Sequence, residues 1–174
     1  MMRLRTFLAD TRAVAAAEMA LILPIVSVLF LNVADATTYI YSRMQVDLAA
    51  QEAVGLARAR CDTAAKLPST VNCTGLQAAM QAAAQATSLG ASVTINTATA
   101  AWYCSNAGSD LMQVATITSA RPANCSTTLT GSTAVPGEYL SVTASYTFTP
   151  IFAAASIASS LPSNIQRTAW IRMQ

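Results

Sequence analysis

The chain opens on a strongly apolar stretch. Arg12 to Ala36, RAVAAAEMALILPIVSVLFLNVADA, is almost unbroken in apolar residues and carries one carboxylate, Glu18, near its start. Val14 to Ala34 is about twenty residues, close to the length a helix needs to span a bilayer. Glu18, Pro24, Ser27 and Asn32 interrupt it. From about Asp35 to Arg60 the pattern turns amphipathic. Ile40, Met44, Leu48 and Leu56 recur near helical spacing, interleaved with Asp35, Arg43, Asp47, Gln51, Glu52, Arg58 and Arg60. Neither Pro nor Gly falls in this part before Gly55. One long helix is predicted over 14–60, lipid-facing first and then packing on the following domain with one face. Arg43, Asp47 and Gln51 stand at i,i+4 spacing and read as solvated support for that helix.

Past the helix the periodicity shortens. Lys66 to Gly75 reads as a loop, marked by Pro68, Ser69, Thr70 and Asn72. Leu76–Ser88 is helix-prone and ends before Gly90, a suitable C-cap. Alternating β-type runs follow at Ser92–Thr99, Met112–Thr118, Tyr139–Thr149 and Ile165–Met173. Polar loops separate them at Ser105–Ser109 and Arg121–Gly137, the second a surface loop that Cys125 would pin. Pro150–Ser160, PIFAAASIASS, reads as a short apolar helix between the last two strands. The predicted fold class is α+β: a long N-terminal hydrophobic helix, packed by its C-terminal half on a three- or four-stranded antiparallel β-sheet, with a short second helix. The expected organisation is a basic leader at 1–13, a membrane-spanning and assembly helix at 14–36, its amphipathic continuation at 37–60, and an α+β domain at 61–174.

Composition and charge narrow the chemistry. The chain has 174 residues and a net charge of +2. Beyond the long helix roughly 110 residues remain, enough for one small domain with a modest core. Basic clusters with interleaved aromatics are absent, so nucleic acid is not an expected partner. There is no histidine, which removes the commonest general base and metal ligand. The acids beyond the long helix are Asp62, Asp110 and Glu138, and the only lysine is Lys66. Asp62 sits beside Cys61 just beyond the helix end, and Glu138 precedes a strand and is expected to be solvated. No nucleophile elbow and no phosphate-binding glycine loop occurs. No catalytic residue, metal site or cofactor is expected, and the protein is not expected to be an enzyme. Trp102-Tyr103-Cys104 is expected to pack beside a disulfide, and Tyr39 and Tyr41 suit an aromatic belt where the helix leaves the membrane.

Cys61, Cys73, Cys104 and Cys125 all follow the apolar run, and no C-x-x-C pair occurs. A zinc ribbon is therefore disfavoured and disulfides in an oxidising compartment are favoured. Four cysteines allow three pairings. Cys61–Cys73 with Cys104–Cys125 is favoured because each closes a short local loop.

Three readings of the N-terminus compete. Arg3, Arg5 and Arg12 precede the apolar run, so the leader is expected to stay in the cytoplasm and the domain to be translocated. An ordinary membrane anchor fits that pattern. A secretory signal also has a basic start, an apolar middle and a small-x-small triplet, here Ala34-Asp35-Ala36. Its apolar run is long, it contains a glutamate, and cutting after Ala36 would fall inside a strong helical pattern. The third reading is a pilin-type signal, with a short basic leader removed and the helix retained. A carboxylate in the middle of a lipid helix is costly. One close to a new N-terminus sits near the headgroups or pairs with a neighbouring subunit's α-amine.

R-A-V-A-A-A-E-M-A-L-I-L-P, Arg12–Pro24, resembles the N-terminal motif of the TadE-like minor pilins, or pseudopilins, of the tight-adherence (Tad/Flp) pilus system. QVDLAAQEAVGLARA at Gln45–Ala59 resembles the end of that family's helix. VTASYTFTPIF at Val142–Phe152, followed by RTAWIRM at Arg167–Met173, resembles its closing strands. Residues 61–137 carry no such likeness. Ala13 stands where the family usually has Gly, and Met19 where Phe or Tyr is common. The resemblance implies a prepilin peptidase that cuts between Ala13 and Val14, making Glu18 the fifth mature residue. It implies an assembly role for Glu18 and a Pro24 that permits local unwinding. The implied partners are the major and other minor pilins, the prepilin peptidase, the Tad inner-membrane assembly platform and membrane lipid. The implied location is the inner membrane, single pass with the domain in the periplasm, and then the pilus and cell surface, with a role in adhesion. A secreted or membrane-anchored periplasmic binding protein is the alternative.

Overall fold

The computed structural model describes residues 11–106, 108, 110–154 and 156–174, with side chains from Val14 onward. Residues 1–10, with Arg3 and Arg5, lie outside the described residues, as does the side chain of Arg12. Helix α1 runs from Thr11 to Arg60 with Pro24 inside it. After it come α2 (Ser69–Asn72), α3 (Leu76–Gln85) and strands β1 (Thr94–Ile95), β2 (Thr99–Ser105), β3 (Leu111–Thr116), β4 (Gly137–Thr147) and β5 (Asn164–Arg172). The fold is α+β. The chain divides into two compact units, one of residues up to Tyr41 with Phe148–Ser163, the other of Ser42–Thr147 with Asn164–Gln174.

The second unit holds the sheet. β4 is its centre: β5 pairs antiparallel along its whole length, from Tyr139 opposite Arg172 to Thr147 opposite Asn164. β1 and β2 share its other margin, and β3 lies outside β2. On one face β4 presents Leu140, Val142 and Ala144, all fully buried. They form a core with Met80 and Ala84 of α3, with Val93, and with Val46, Ala49, Ala50, Ala53 and Ala57 of α1. On the sheet's other side Tyr103 makes edge-to-face contacts with Tyr139 and Trp170. Disulfides Cys61–Cys73 and Cys104–Cys125 close two local loops, and all four sulfur-bearing residues are buried. Arg121 lies over the Trp102 ring, 5.4 Å from its centroid, and its Nε donates to the carbonyl of Pro136.

Several expectations are corrected. The sheet has five strands instead of three or four. The run expected over Ser92–Thr99 is a strand at Thr94–Ile95, and its last residue, Thr99, opens β2. Between Val93 and Ala98 the backbone turns its polar groups to side chains of α3. Gln81 takes the N–H of Ile95 and donates to the carbonyl of Val93. Gln77 takes the N–H of Ala98 and donates to the carbonyl of Asn96. The loop expected over Lys66–Gly75 contains α2. The largest correction concerns α1. Of the stripe Ile40, Met44, Leu48 and Leu56, expected to pack on the domain, the first three are 59, 65 and 42 % exposed and Leu56 is half-buried. The buried face is the smaller one, Val46-Ala49-Ala50-Ala53-Ala57. The side chains on that face are mostly alanines, small enough to let neighbouring elements approach the helix closely.

The first unit is the apolar part of α1 with Phe148–Ser163. Pro150–Ser160 is not the helix expected there: it forms turns, with a single 3-10 turn at Ile157–Ser160. Side chains of α1 accept the amides of Ile151, Phe152 and Ile157.

Candidate assembly and anchoring site

The helix Val14–Arg60 is long and apolar enough to cross a membrane, with a mean hydropathy of 2.4 over its most apolar window, none of which is buried within the protein. All side chains from Val14 to Phe30 are exposed. Glu18 is among them, the lone charged residue between Ala13 and Ala34. An ionised carboxylate surrounded only by hydrocarbon is costly, and a partner in the membrane removes most of that cost. The Ala13–Val14 bond lies within the first turns of α1; the side chain of Ala13 is outside the described residues, and that of Val14 is exposed. Pro24 has no amide hydrogen to donate one turn back, and its ring crowds that turn, so the backbone is weakest there.

The other polar residues of this stretch are satisfied within the helix. Ser27 Oγ donates to the carbonyl of Leu23, Asn32 Nδ2 to that of Val28, Thr37 Oγ1 to that of Val33, each at 2.8 Å. Such back-bonding is how a polar side chain is accommodated where water is absent.

Two further residues of α1 do long-range work. Asp35, one of the polar positions interleaved in the amphipathic stretch, is fully buried. Its two carboxylate oxygens accept the amides of Ile151, at 2.9 Å, and Phe152, at 3.1 Å. Asn32 Oδ1 accepts the amide of Ile157 at 2.7 Å. Tyr39 meets Phe148 edge to face, with centroids 5.1 Å apart. Together they clasp Phe148–Ser163 to the helix. The sequence held one sign of this: Asp35 has no basic residue three or four positions away, so no local ion pair accounts for it.

Glu138 is likewise corrected. It lies inside β4, fully buried, rather than solvated ahead of the strand. Its Oε1 accepts the backbone amide of Ser69 at 2.7 Å and also the Ser69 hydroxyl. The first amide of α2, which has no partner within that helix, is thus capped from sixty-nine residues away. Its Oε2 has no hydrogen-bond partner among the described residues. The period-2 pattern contained this result, since Glu138 shares parity with the inward residues Leu140, Val142 and Ala144. Asp62 is exposed and pairs with Lys66 at 3.0 Å; that hydrogen bond and charge hold its carboxyl below the usual range. Among the described residues no group of three or more histidines, cysteines, aspartates or glutamates is placed to hold a metal ion.

Glu18, Pro24 and the Ala13–Val14 bond thus share one helical stretch of the first unit, whereas the four cysteines lie in the second. No curated protein and no solved structure matches the chain. The family model described as TadE-like protein matches residues 13–54, which run from the Ala13–Val14 bond into the buried face of α1. Over that long N-terminal helix, the chain is similar to the TadE-like proteins.

Proposed function

We propose that the protein is a minor pilin, or pseudopilin, of a Tad/Flp-type pilus, acting in initiation, assembly or at the tip, with a role in surface adhesion. The observation that carries this reading is the TadE-like match over a helix whose exposed apolar stretch holds one carboxylate, Glu18. In this reading α1 partitions into the inner membrane with the domain in the periplasm. The prepilin peptidase removes residues 1–13, and Val14 becomes the new N-terminus. Glu18 then pairs with the Val14 amine of a neighbouring major or minor pilin as helices bundle at the Tad assembly platform. Pro24 eases extraction by weakening the helix locally. The disulfides support export to an oxidising compartment. The role is structural, and specificity for partner or surface belongs to the β-sheet domain.

A secreted protein released after Ala36 is disfavoured by a specific feature. Helix α1 is unbroken through Ala34–Ala36, and Asp35 within that triplet is buried by its bonds to Ile151 and Phe152.

The test is Glu18→Ala in the pilus-bearing cell. Membrane fractionation is expected to find the variant inserted as wild type, while counts of surface pili fall severalfold. Normal piliation with a correctly inserted variant refutes the role of Glu18. Sequencing the mature N-terminus checks processing independently: Val14 is expected, whereas Thr37 means a secreted protein and Met1 a plain anchor.

A further inference from the structure

The Phe148–Ser163 segment has a surface that the pilin reading does not use. It carries no charged residue. Ile151 and Ile157 are 65 and 71 % exposed, and Phe152 is exposed beside them. Many of its polar atoms are bonded to α1 or within the segment. Asp35 and Asn32 take the amides of Ile151, Phe152 and Ile157. Ser156 Oγ accepts from the amide of Ala158, Ser159 Oγ donates to the carbonyl of Ser156, and Ser160 Oγ donates to that of Ile157.

We propose that this segment is a second membrane contact, seated in the outer interfacial layer of the bilayer beside α1 with Ile151, Phe152 and Ile157 in lipid. The proposal rests on α1 spanning the membrane. Val14 to Asn32 rises about 27 Å along a helix axis and Val14 to Asp35 about 32 Å, against a hydrocarbon thickness of about 30 Å. The two clasping residues therefore stand at the outer margin of the hydrocarbon, and the segment they hold lies at that depth. Lipid is favoured over a second copy of the chain by the treatment of polar groups. Bilayer contact requires that exposed backbone satisfy its amides internally, whereas a protein partner offers its own groups and is met by a polar rim. Here the amides of Ile151, Phe152 and Ile157 are taken by α1 and those three exposed side chains are apolar, while the exposed Thr149, Ser159, Ser160 and Ser163 suit the headgroup layer.

The experiment uses the full chain in phosphatidylethanolamine–phosphatidylglycerol liposomes. A nitroxide is attached at Ile157→Cys or at Phe152→Cys, two exposed positions; the four native cysteines are disulfide-bonded and do not label. Reference labels sit at Leu29→Cys in α1 and at the exposed Val71→Cys of the second unit. Collision rates with oxygen and with a polar nickel chelate are compared. Labels at 157 and 152 are expected to favour oxygen severalfold, as at 29, with the reverse at 71. Loop labels that meet the chelate as freely as the label at 71 overturn the proposal. Loop labels shielded from both reagents also overturn it, because a second copy then covers the segment. A label at 29 that is itself accessible to the chelate refutes the membrane-spanning reading of α1, a result distinguishable from failure of the loop labels alone.

Discussion

Replacing Asp35 by Ala removes both acceptors that fasten Ile151 and Phe152 to α1 and leaves their amides unpaired. A hydrogen bond to a charged acceptor contributes about 1.5–3 kcal/mol. The lower value for the pair is about 3 kcal/mol, roughly a hundredfold in the equilibrium between the clasped and the open segment. The upper value is not reached, because an open segment re-forms hydrogen bonds with water. The loss is local. The two amides belong to the first unit, and the β4–β5 pairing from Tyr139–Arg172 to Thr147–Asn164 is untouched. Amide hydrogen exchange of the full chain in detergent micelles reads both parts. Exchange at Ile151 and Phe152 is expected to accelerate about a hundredfold in Asp35→Ala, with exchange of β4 unchanged. Asp35→Asn keeps one carbonyl acceptor, so its effect falls between wild type and Ala. Unchanged protection at Ile151 and Phe152 in Asp35→Ala refutes the clasp. Equal acceleration in β4 means that the carboxylate supports the whole fold instead.

Three further outcomes follow from the second unit. Glu138→Ala leaves the Ser69 amide and hydroxyl without their partner and opens a cavity, and is expected to cost about 2–4 kcal/mol in denaturant titrations; a change under about 0.5 kcal/mol counts against the Ser69 cap. Replacing either cysteine pair by serines is expected to lower stability by about 3 kcal/mol, from the loop-closure entropy of separations of 12 and 21 residues. Equal midpoints for wild type and variant under oxidising conditions contradict that. The Asp62–Lys66 contact contributes stability above the ordinary carboxylate range, which is lost as pH falls through the lowered folded value. Asp62→Asn is therefore expected to be slightly less stable at neutral pH and indistinguishable in strong acid or high salt, because the pair is exposed. A difference that persists in acid shows another cause.

The elements with the strongest periodic signals were legible from the sequence. The long helix, β4 and β5 stand within a few residues of where their patterns predict them. β2 was missed because TAAWYCS does not alternate; two adjacent alanines hide its faces, and its pairing with β4 comes from distant chain. The helix face was misjudged for a related reason. Apolar size picked out Ile40, Met44 and Leu48, but the buried face is made mostly of alanines, which apolar size does not single out. Of the candidate site, Glu18 and Pro24 were visible because their oddity is local. Asp35 and Glu138 find their partners 116 and 69 residues away, and no short-range pattern encodes that.

The glutamines of α3 have a consequence for how this protein associates. A sheet margin with free amides and carbonyls is a template on which another chain can add a strand. Along Val93–Ala98 that margin is met by carboxamides instead: Gln77 and Gln81 each offer one donor and one acceptor in the order a neighbouring strand would supply them. An incoming strand would have to displace both. Addition of a strand at this margin is thereby opposed, which leaves the outer edges of β3 and β5 as the margins of the sheet where another strand can pair. A substitution as small as Gln81→Ala reopens the Val93–Ala98 margin.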